Sequence, residues 1–352
     1  MKRNLDQQSA QKRCAAATIS PHPGQRGGSA RSRTSPNILP AIRIAPDPRP
    51  DCHPDCHLLS RGIVATTSER VTLPPEIFDR AARRRRRDRA APGWSEHDFL
   101  HAVMLDGLEE RLSTVLRDFA DVLDLGCFNA QFTPPAGARV ARFDPGFAFA
   151  RAAGGVQGDE DRLPFADASF DLVVAAGTLD TVNDLPGAFS LIRRVLRPGG
   201  LFLGAFLGAG SLATLRTVLR EAEAERPAVR IHPQVEVRSG GDLLLRAGFK
   251  LPVADAETLT VRYATLGRLL ADLRGMAASN VLKDRSPLGR DALVRAAASF
   301  AARADEDGRT PERFEVVFLT GWAPSPEQDA GRRSPPKASS DSTLPRPAGR
   351  FG

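Results

Sequence analysis

Four acidic side chains follow three predicted strands in the middle of the chain, each where a strand ends. Asp124 closes the first strand and Asp144 closes the second, whereas Asp159 and Glu160 follow the third. Because the carboxyl ends of parallel strands meet at one edge of a sheet, we expect these carboxylates to lie close together. A carboxylate after the second strand can accept hydrogen bonds from both ribose hydroxyls of an adenosine, and one after the third can accept from the adenine amino group. The spacing therefore predicts an adenosine-binding edge.

The loop after the first strand reads DLGCFNA and departs from the pattern that such a site needs. Gly126 stands where a glycine allows the backbone to approach a ligand closely, with a positive φ angle. Further glycines are expected next, but Phe128 and Ala130 occupy those places. Two prolines at 134–135 leave room for only about one turn of helix before the second strand. We therefore predict that the half of the site beyond the adenosine is damaged.

Candidate metal ligands are present but badly spaced. The stretch DCHPDCH at 51–57 crowds two cysteines and two histidines around a proline, whereas a structural zinc site needs two separated ligand pairs. His97 and His101 share a helix face, yet no carboxylate motif completes an iron or zinc site there. We predict no metal centre. The four cysteines also imply no disulfide framework.

Alternating strands and helices position these residues. The predicted strands are Val122–Leu125, Val140–Phe143, a short one from Val156, Phe170–Ala175, Leu201–Phe206, Phe249–Asp255 and Phe314–Trp322. A short helix is predicted after Asp144, and longer ones over Leu185–Leu196 and Ser211–Glu225. Such alternation predicts an α/β fold, a parallel sheet with helices on both faces and ligands at the carboxyl ends of its strands.

Two further helical regions flank this core. Residues 74–116 have a helical period and precede the first strand, so we expect them to form a lid over its carboxyl end. Ser95, with Asp98 three residues later, is the predicted N-cap of the second lid helix. Residues 260–305 are predicted to be a helical insertion before the last strand.

The ends of the chain differ from the middle in composition. Residues 1–70 and 323–352 are rich in Arg, Pro, Ser and Gly and lack a sustained apolar period. Such segments bury too little apolar surface to offset a chain entropy of roughly 1–2 kcal/mol per residue, so we predict disordered tails around a folded domain at 71–322. No apolar run approaches the roughly 20 residues that span a bilayer. We expect a bacterial cytoplasmic protein without stable membrane insertion.

The chain carries a formal net charge of +7, and part of the excess lies in a run of five arginines at 83–87. This run is compatible with a solvated basic helix face or with a docking face for an acidic partner. Both interpretations stay open from the sequence. We do not expect nucleic-acid binding.

These motifs resemble those of a known family. LDLGC, GDEDRLPF, SFDLVVAAGTLDTVNDLP and LRPGGLFLGAF are similar to class I S-adenosylmethionine-dependent methyltransferases of the type 11 group. The sequences at 74–91, 259–280 and 307–324 resemble one branch in particular, the methyltransferase-like assembly factors of respiratory complex I. That likeness covers residues 73–328. The malonyl-carrier-protein methyltransferases of biotin synthesis are more distantly similar.

The resemblance implies a Rossmann-like class I methyltransferase sheet and S-adenosylmethionine as the cofactor. It implies a protein substrate, a complex I subunit modified at an arginine, and in the mitochondrial branch that modification is a hydroxylation. The family's cofactor-binding positions correspond to Asp124, Gly126, Asp144, Asp159 and Glu160.

The sequence after the fourth strand would line the substrate side of the site. If methyl transfer takes place, Asp180, Asn183 and Asp184 are our candidates for orienting a cationic acceptor. Asp180 and Thr181 depart from the family, which usually has His-Trp there. Three functions remain open: an enzyme acting on a protein, a non-catalytic assembly chaperone and a small-molecule methyltransferase.

Overall fold

The computed structural model describes residues 76–225 and 227–325. The predictions for residues 1–70, the cysteine–histidine stretch at 51–57 and all but the start of the C-terminal tail lie outside these ranges. Among the described helices, none is long and apolar enough to cross a bilayer.

In the part of the chain that the structure describes, seven strands form one sheet in the order β3-β2-β1-β4-β5-β7-β6. Neighbours among β1 to β5 run parallel, whereas β7 is antiparallel to both β5 and β6. The strands are β1 Asp121–Leu125, β2 Arg139–Asp144, β3 Val156–Gln157, β4 Phe170–Ala176, β5 Leu196–Leu207, β6 Lys250–Tyr263 and β7 Thr310–Trp322. The α/β, Rossmann-like fold class predicted from the sequence is confirmed.

Helices cover both faces of this sheet. They are α1 Arg80–Ala90, α2 Phe99–Ser113, α3 Phe147–Ala152, α4 Leu185–Val195, α5 Ala213–Ala222, α6 Val237–Arg246, α7 Leu266–Gly275 and α8 Arg290–Ala301. Successive residues of the central strands enter opposite cores: Val122 packs with α2, α5, α7 and α8, whereas Leu123 packs with α4 and α6. Every residue of β4 is buried, as expected for a parallel strand covered on both faces.

The lid helices begin differently from the prediction. The Asp79 side chain caps α1 by accepting a hydrogen bond of 2.9 Å from the amide of Ala82. A 3₁₀ turn at Ala91–Glu96 then leads towards α2. Ser95 lies inside this turn, so the predicted N-cap is wrong. The side chain of Asp98, which precedes α2, makes no capping hydrogen bond.

The segment between β1 and β2 differs from a usual strand–helix–strand unit. No helix forms over the described residues 126–138, so even the single predicted turn is absent. The prolines at 134–135 remove backbone donors there. The predicted helical insertion is present as α7 and α8, but it starts later than residue 260 because β6 continues to Tyr263.

Candidate functional site

The strand-end carboxylates lie together, and all of them are buried. Asp144 and Glu160 are fully inaccessible to solvent, whereas Asp124 and Asp159 keep about one-twentieth of their surface. Thr178, which follows β4, lies between Asp144 and Glu160. The guanidinium groups of Arg87 and Arg83, which bind these two carboxylates, both donate to the Thr178 hydroxyl. The four acids predicted to follow the strands therefore form one buried cluster.

The guanidinium of Arg83 neutralises Glu160. Its two terminal nitrogens lie 2.5 and 2.8 Å from the two carboxylate oxygens, a bidentate arrangement. It also donates to the Thr178 carbonyl at 2.6 Å and, through Nε, to the Thr181 hydroxyl at 3.0 Å. Every charged atom of this pair has a partner, which is the condition under which a buried ion pair is tolerated.

The guanidinium of Arg87 neutralises Asp144, one helical turn further along α1. Its Nη1 lies 2.7 Å from the Asp144 carboxylate, and Nη2 donates to the Thr178 hydroxyl at 2.9 Å. Asp144 Oδ2 also accepts from the backbone amide of Phe128 at 3.0 Å, and Oδ1 accepts from that of Gly146 at 2.7 Å. Protein groups therefore cover the carboxylate expected to take ribose hydroxyls, and it is inaccessible to solvent.

Two more arginines of α1 extend the series. Arg84 binds Asp159 at 2.7 Å, and Arg80 binds Asp161 through two hydrogen bonds of 2.7 and 2.6 Å. The four arginines stand at positions i, i+3, i+4 and i+7, which share one helix face. That face packs against the carboxylates. These four arginines are therefore neither a solvated basic face nor a docking face for an acidic partner.

The pKa values distinguish the two innermost ion pairs. Although burial opposes it, the Glu160 charge raises the pKa of Arg83, and the Arg83 guanidinium holds the pKa of Glu160 below its usual range. In the other pair burial prevails: it lowers the pKa of Arg87 and raises that of Asp144. The geometry agrees, because Arg83 and Glu160 share two hydrogen bonds whereas Arg87 and Asp144 share one, so the Arg87–Asp144 ion pair is the weaker of the two.

The loop directly after β1, residues 126–130, has three residues with positive φ angles, and only one of them is a glycine. Gly126 has φ 75°, and Phe128 and Ala130 adopt φ 43° and 55°. The left-handed region disfavours residues with a Cβ by roughly 1–2 kcal/mol. Gly126 has a steric reason of its own, since a Cβ there would lie 2.4 Å from the Thr178 side chain. The amides of Gly126 and Cys127 both donate to the Phe143 carbonyl.

The Phe128 ring fills the space that a glycine would leave open. It stacks on Trp94 with ring centroids 4.2 Å apart, and the Arg87 guanidinium carbon lies 3.9 Å from its centre. Phe149 and His101 contact it edge-on. The cavity that remains beside this cluster has a volume of about 60 Å³, whereas small-molecule sites usually measure roughly 300–1,000 Å³.

These contacts test how well S-adenosylmethionine fits the site. The buried carboxylates Asp144 and Glu160 have the type and place needed for the adenosine half, but arginines hold both of them. The half that would take the methionine moiety holds the Phe128 ring. The residues therefore fit the adenosine half in kind, and the whole molecule does not fit this arrangement of side chains.

The other predicted cofactor residues lie beside this centre. Burial raises the pKa of Asp124 to about 7, against the attraction of Arg142, whose Nε lies 3.9 Å away. Asp159 faces Arg84 and Arg80, and its Oδ1 is buried without a hydrogen-bond partner among the described residues. Asp159 therefore retains an acceptor that a ligand could use.

Of the three residues predicted to orient an acceptor, one lies in the site. Asp180 lines the small cavity, and burial raises its pKa. The Asn183 side chain instead bonds the backbone amide and carbonyl of Phe78, which fastens the segment before α1. Asp184 caps α4 by accepting from the Gly187 amide at 2.8 Å. The side chains of Asn183 and Asp184 therefore make structural hydrogen bonds, and their role in orienting an acceptor stays a prediction.

Residues that the sequence interpretation missed complete the site. Arg83 and Arg87 bind Glu160 and Asp144, and Trp94 stacks on the Phe128 ring. A run of five arginines places arginines on every face of a helix, so some of them must face the sheet if the helix packs on it, but the run does not show which ones. The described residues contain no group of three or more side chains suited to hold a metal ion.

Comparisons with known proteins agree with this architecture. Residues 123–204 match the family model described as a methyltransferase domain. The arginine-hydroxylase NDUFAF5 of Danio rerio is 33% identical over 270 residues, which cover 72% of this chain and 84% of the relative. A malonyl-[acyl-carrier protein] O-methyltransferase of Methylovorus is 30% identical over 278 residues, with 72% and 92% covered. Among solved structures, the YcgJ protein of Bacillus subtilis has a TM-score of 0.45 at 16% identity, covering 65% of this chain and all of that one.

Proposed function

This chain belongs to the family of methyltransferase-fold proteins that includes the arginine-hydroxylase NDUFAF5, and we propose from that membership that it acts on a protein partner during respiratory complex I assembly. The likeness to that relative extends over 270 residues, far beyond the methyltransferase domain at 123–204. The shared part therefore includes the regions on either side of the cofactor-binding half, where a partner would be recognised.

S-adenosylmethionine is the cofactor of the methyltransferase domain family, and when bound it supplies a methyl group on a sulfonium leaving group. In this chain Asp144 and Glu160 are the residues that would hold its adenosine. Their partners Arg87 and Arg83 would have to withdraw first, because Asp144 and Glu160 are inaccessible to solvent while these guanidinium groups bind them. Cofactor binding and the docking of α1 onto the sheet therefore compete.

The observation that carries this proposal is the series of arginine–carboxylate pairs along α1. A lid helix that neutralises three of the four strand-end acids, Asp144, Asp159 and Glu160, gives the domain a stable closed form without cofactor. A protein with such a form can bind a partner whether or not it turns over.

The Phe128 ring favours a second candidate function, that of a non-catalytic assembly chaperone. This ring is 3% exposed and contacts three other aromatic rings, so it is part of the core. A chaperone needs the fold and its partner surface, and it needs no space for the methionine half of the cofactor.

Deletion of the gene in the organism of origin tests the proposed role. We expect membranes of the deletion strain to lose NADH:quinone oxidoreductase activity and assembled complex I, and the wild-type gene to restore both. Unchanged complex I in the deletion strain would contradict the proposal.

An Asp144→Asn variant separates the two candidates in the same strain. It keeps the shape of the side chain and removes the charge that an adenosine-binding site needs. Failure to restore complex I, with the variant folded by its melting temperature, would support an enzyme. Full restoration would support the chaperone.

A further inference from the structure

A cleft of about 870 Å³ opens beside the closed cofactor site. Asp180, Leu207 and Ala278 line both the cleft and the small cavity next to Phe128, so the two spaces adjoin. Its volume lies within the range typical of ligand sites, roughly 300–1,000 Å³. Nothing in the described part of the chain fills it.

The floor of the cleft is apolar. Leucines from β5, α5, α7 and the segment before α8 line it, together with Ile231: Leu207, Leu212, Leu215, Leu219, Leu270, Leu273 and Leu288. Burial of apolar surface is worth roughly 25 cal/mol per Å², so side chains of a ligand placed on this floor would contribute to affinity.

The rim of the cleft is cationic. Arg86 and Arg89 line it from α1 and Arg274 lines it from α7, and none of the three side chains has a hydrogen bond or ion pair with another described residue. Arg230 and Arg285 also line it, but Glu223 and Asp79 neutralise them. Asp180 is the one carboxylate among the described residues of the lining. The cleft therefore carries an excess of positive charge.

The neighbouring cations affect the pKa of Arg86. Partial burial and the neighbouring guanidinium groups of Arg285 and Arg89 lower the pKa of Arg86. The arginines that bind the strand-end acids project from the other face of the same helix. The run at 83–87 therefore has two faces with different tasks, one closed on internal carboxylates and one open to a ligand.

We propose that this cleft binds an extended segment of a partner protein in which acidic side chains flank apolar ones. The unneutralised arginines stand on two separate walls, so neutralising them takes several carboxylates spaced along a chain, whereas a single headgroup would reach only part of them. Arginine clusters recognise acidic protein segments in this way, through charge-assisted and bidentate hydrogen bonds. The proposal rests on the protein partner of the proposed function and names the chemistry of that partner.

Calorimetric titration with synthetic peptides tests this directly. The probe is an acidic peptide of about a dozen residues in which Asp and Glu alternate with Leu. Its two comparison peptides carry Asn and Gln, or Lys, in place of the acids. We expect the acidic peptide to bind about tenfold more tightly than the neutral one, the least that charge-assisted hydrogen bonds provide, and to weaken at high ionic strength. Equal binding of acidic and neutral peptides, or no binding of the acidic one, would overturn the proposal.

Variants place the binding in the cleft. Combined Arg86→Gln, Arg89→Gln and Arg274→Gln is expected to remove the preference for the acidic peptide. The matched control, Arg151→Gln, Arg238→Gln and Arg246→Gln, changes net charge equally at exposed arginines outside the cleft and is expected to retain the preference. Persistence of the preference in the cleft variant would refute the location, and melting temperatures check that both variants fold.

Decanoate, a single-headed amphiphile, is the second probe. Arginine-dependent binding of decanoate without binding of the acidic peptide would make the cleft a small-molecule site and would end the proposal. All these titrations use the isolated protein without cofactor or complex I. Peptide binding can therefore fail while the deletion strain still lacks complex I, which would contradict this inference alone. Peptide binding with unchanged complex I in the deletion strain would contradict the proposed function alone.

Discussion

At the scale of single residues, the site is defined by side chains that occupy the places of a ligand. Phe128 and Ala130 hold positive φ angles with a Cβ attached, and Arg87 holds the carboxylate that a ribose would need. The sequence predicted the substituted loop, because Phe128 and Ala130 stand at positions where the motif has glycine. It did not predict the contact between Arg87 and Asp144, since a run of five arginines does not show which of them face inward.

Replacing Phe128 and Ala130 by glycine together is expected to tighten the binding of S-adenosylhomocysteine about tenfold, because the ring leaves the methionine half. Loss of a buried ring costs about 3–5 kcal/mol of stability, and relief of the positive φ angles returns roughly 1 kcal/mol for each. Calorimetry measures the affinity, and urea unfolding measures the stability.

The single variant Ala130→Gly is the control for this pair. It relieves the backbone and keeps the ring, so stability should be unchanged or higher by up to about 1 kcal/mol, with no gain in affinity. Tight binding by the wild type, with no gain in the double variant, would show that the Phe128 ring does not obstruct the cofactor.

Asp124 gives the fold a pH dependence. Burial raises its pKa from 3.8 to about 7, so between these values the native state keeps a proton that the unfolded state has released. Its contribution to stability is complete below pH 3.8 and is lost as the pH rises through about 7. The free energy of unfolding of Asp124→Asn, relative to that of the wild type, should therefore rise by about 1.4 kcal/mol per pH unit across this window. Above pH about 7 the difference should depend much less on pH. Urea unfolding at several pH values checks this, and a constant difference would contradict it.

At the scale of elements, α1 is the helix that distinguishes this site. It begins at the Asp79 cap and carries inward-facing arginines at i, i+3, i+4 and i+7, each on a different acid or its neighbour. A lid over the strand ends was predicted from the helical period before β1. Its direct pairing with the acids was not, because periodicity gives the faces of a helix and leaves open what each face touches.

A double-mutant cycle on Arg87 and Asp144 tests this fastening. Arg87→Met leaves a buried carboxylate uncompensated and is expected to lower the free energy of unfolding by about 3–5 kcal/mol. Combining it with Asp144→Asn should restore much of that loss, since no lone charge remains. Arg85→Met, at an exposed position of the same helix, should change stability by less than about 0.5 kcal/mol. Additive single effects would show that the two residues do not depend on each other.

The strands show which features of an element the sequence can predict. All seven were placed. Buried parallel strands such as β1, β4 and β5 read as short apolar runs between turns, and the antiparallel strands β6 and β7 were predicted from Phe249–Asp255 and Phe314–Trp322. The ends of the strands were harder to predict. Strand β6 runs eight residues beyond the predicted Asp255, since its pairing with β7 continues through polar residues up to Tyr263. Helix α6 was not predicted as an element, because its two adjacent glycines, Gly240 and Gly241, have low helix propensity.

At the scale of the whole molecule, the folded domain is one sheet with a lid, and α1 is part of it. A chain starting at residue 73 is expected to keep the melting temperature of the full-length protein, because the composition of residues 1–70 predicts no packing. A chain starting at Ala91 lacks α1 and leaves Asp144 and Glu160 without their cations. Its melting temperature should fall by about 10 °C or more, since a few kcal/mol corresponds to that shift in a domain of this size. Scanning calorimetry compares the three chains, and a large fall on removing residues 1–72 would contradict the first expectation.

The order of the strands has a consequence for how the protein is made. Among the described strands β7 leaves the ribosome last, and it lies between β5 and β6, so β5 has a free edge until the C-terminal part of the chain has emerged. That edge, Leu201–Leu207, is buried throughout in the finished domain. More than 100 residues separate Leu207 from its partner Val316. At a synthesis rate of about 5–20 residues per second, an apolar strand edge waits roughly 5–20 s for its partner. During that interval the nascent chain resembles an aggregation-prone intermediate, and its yield in the cell depends on how quickly translation proceeds through α7 and α8.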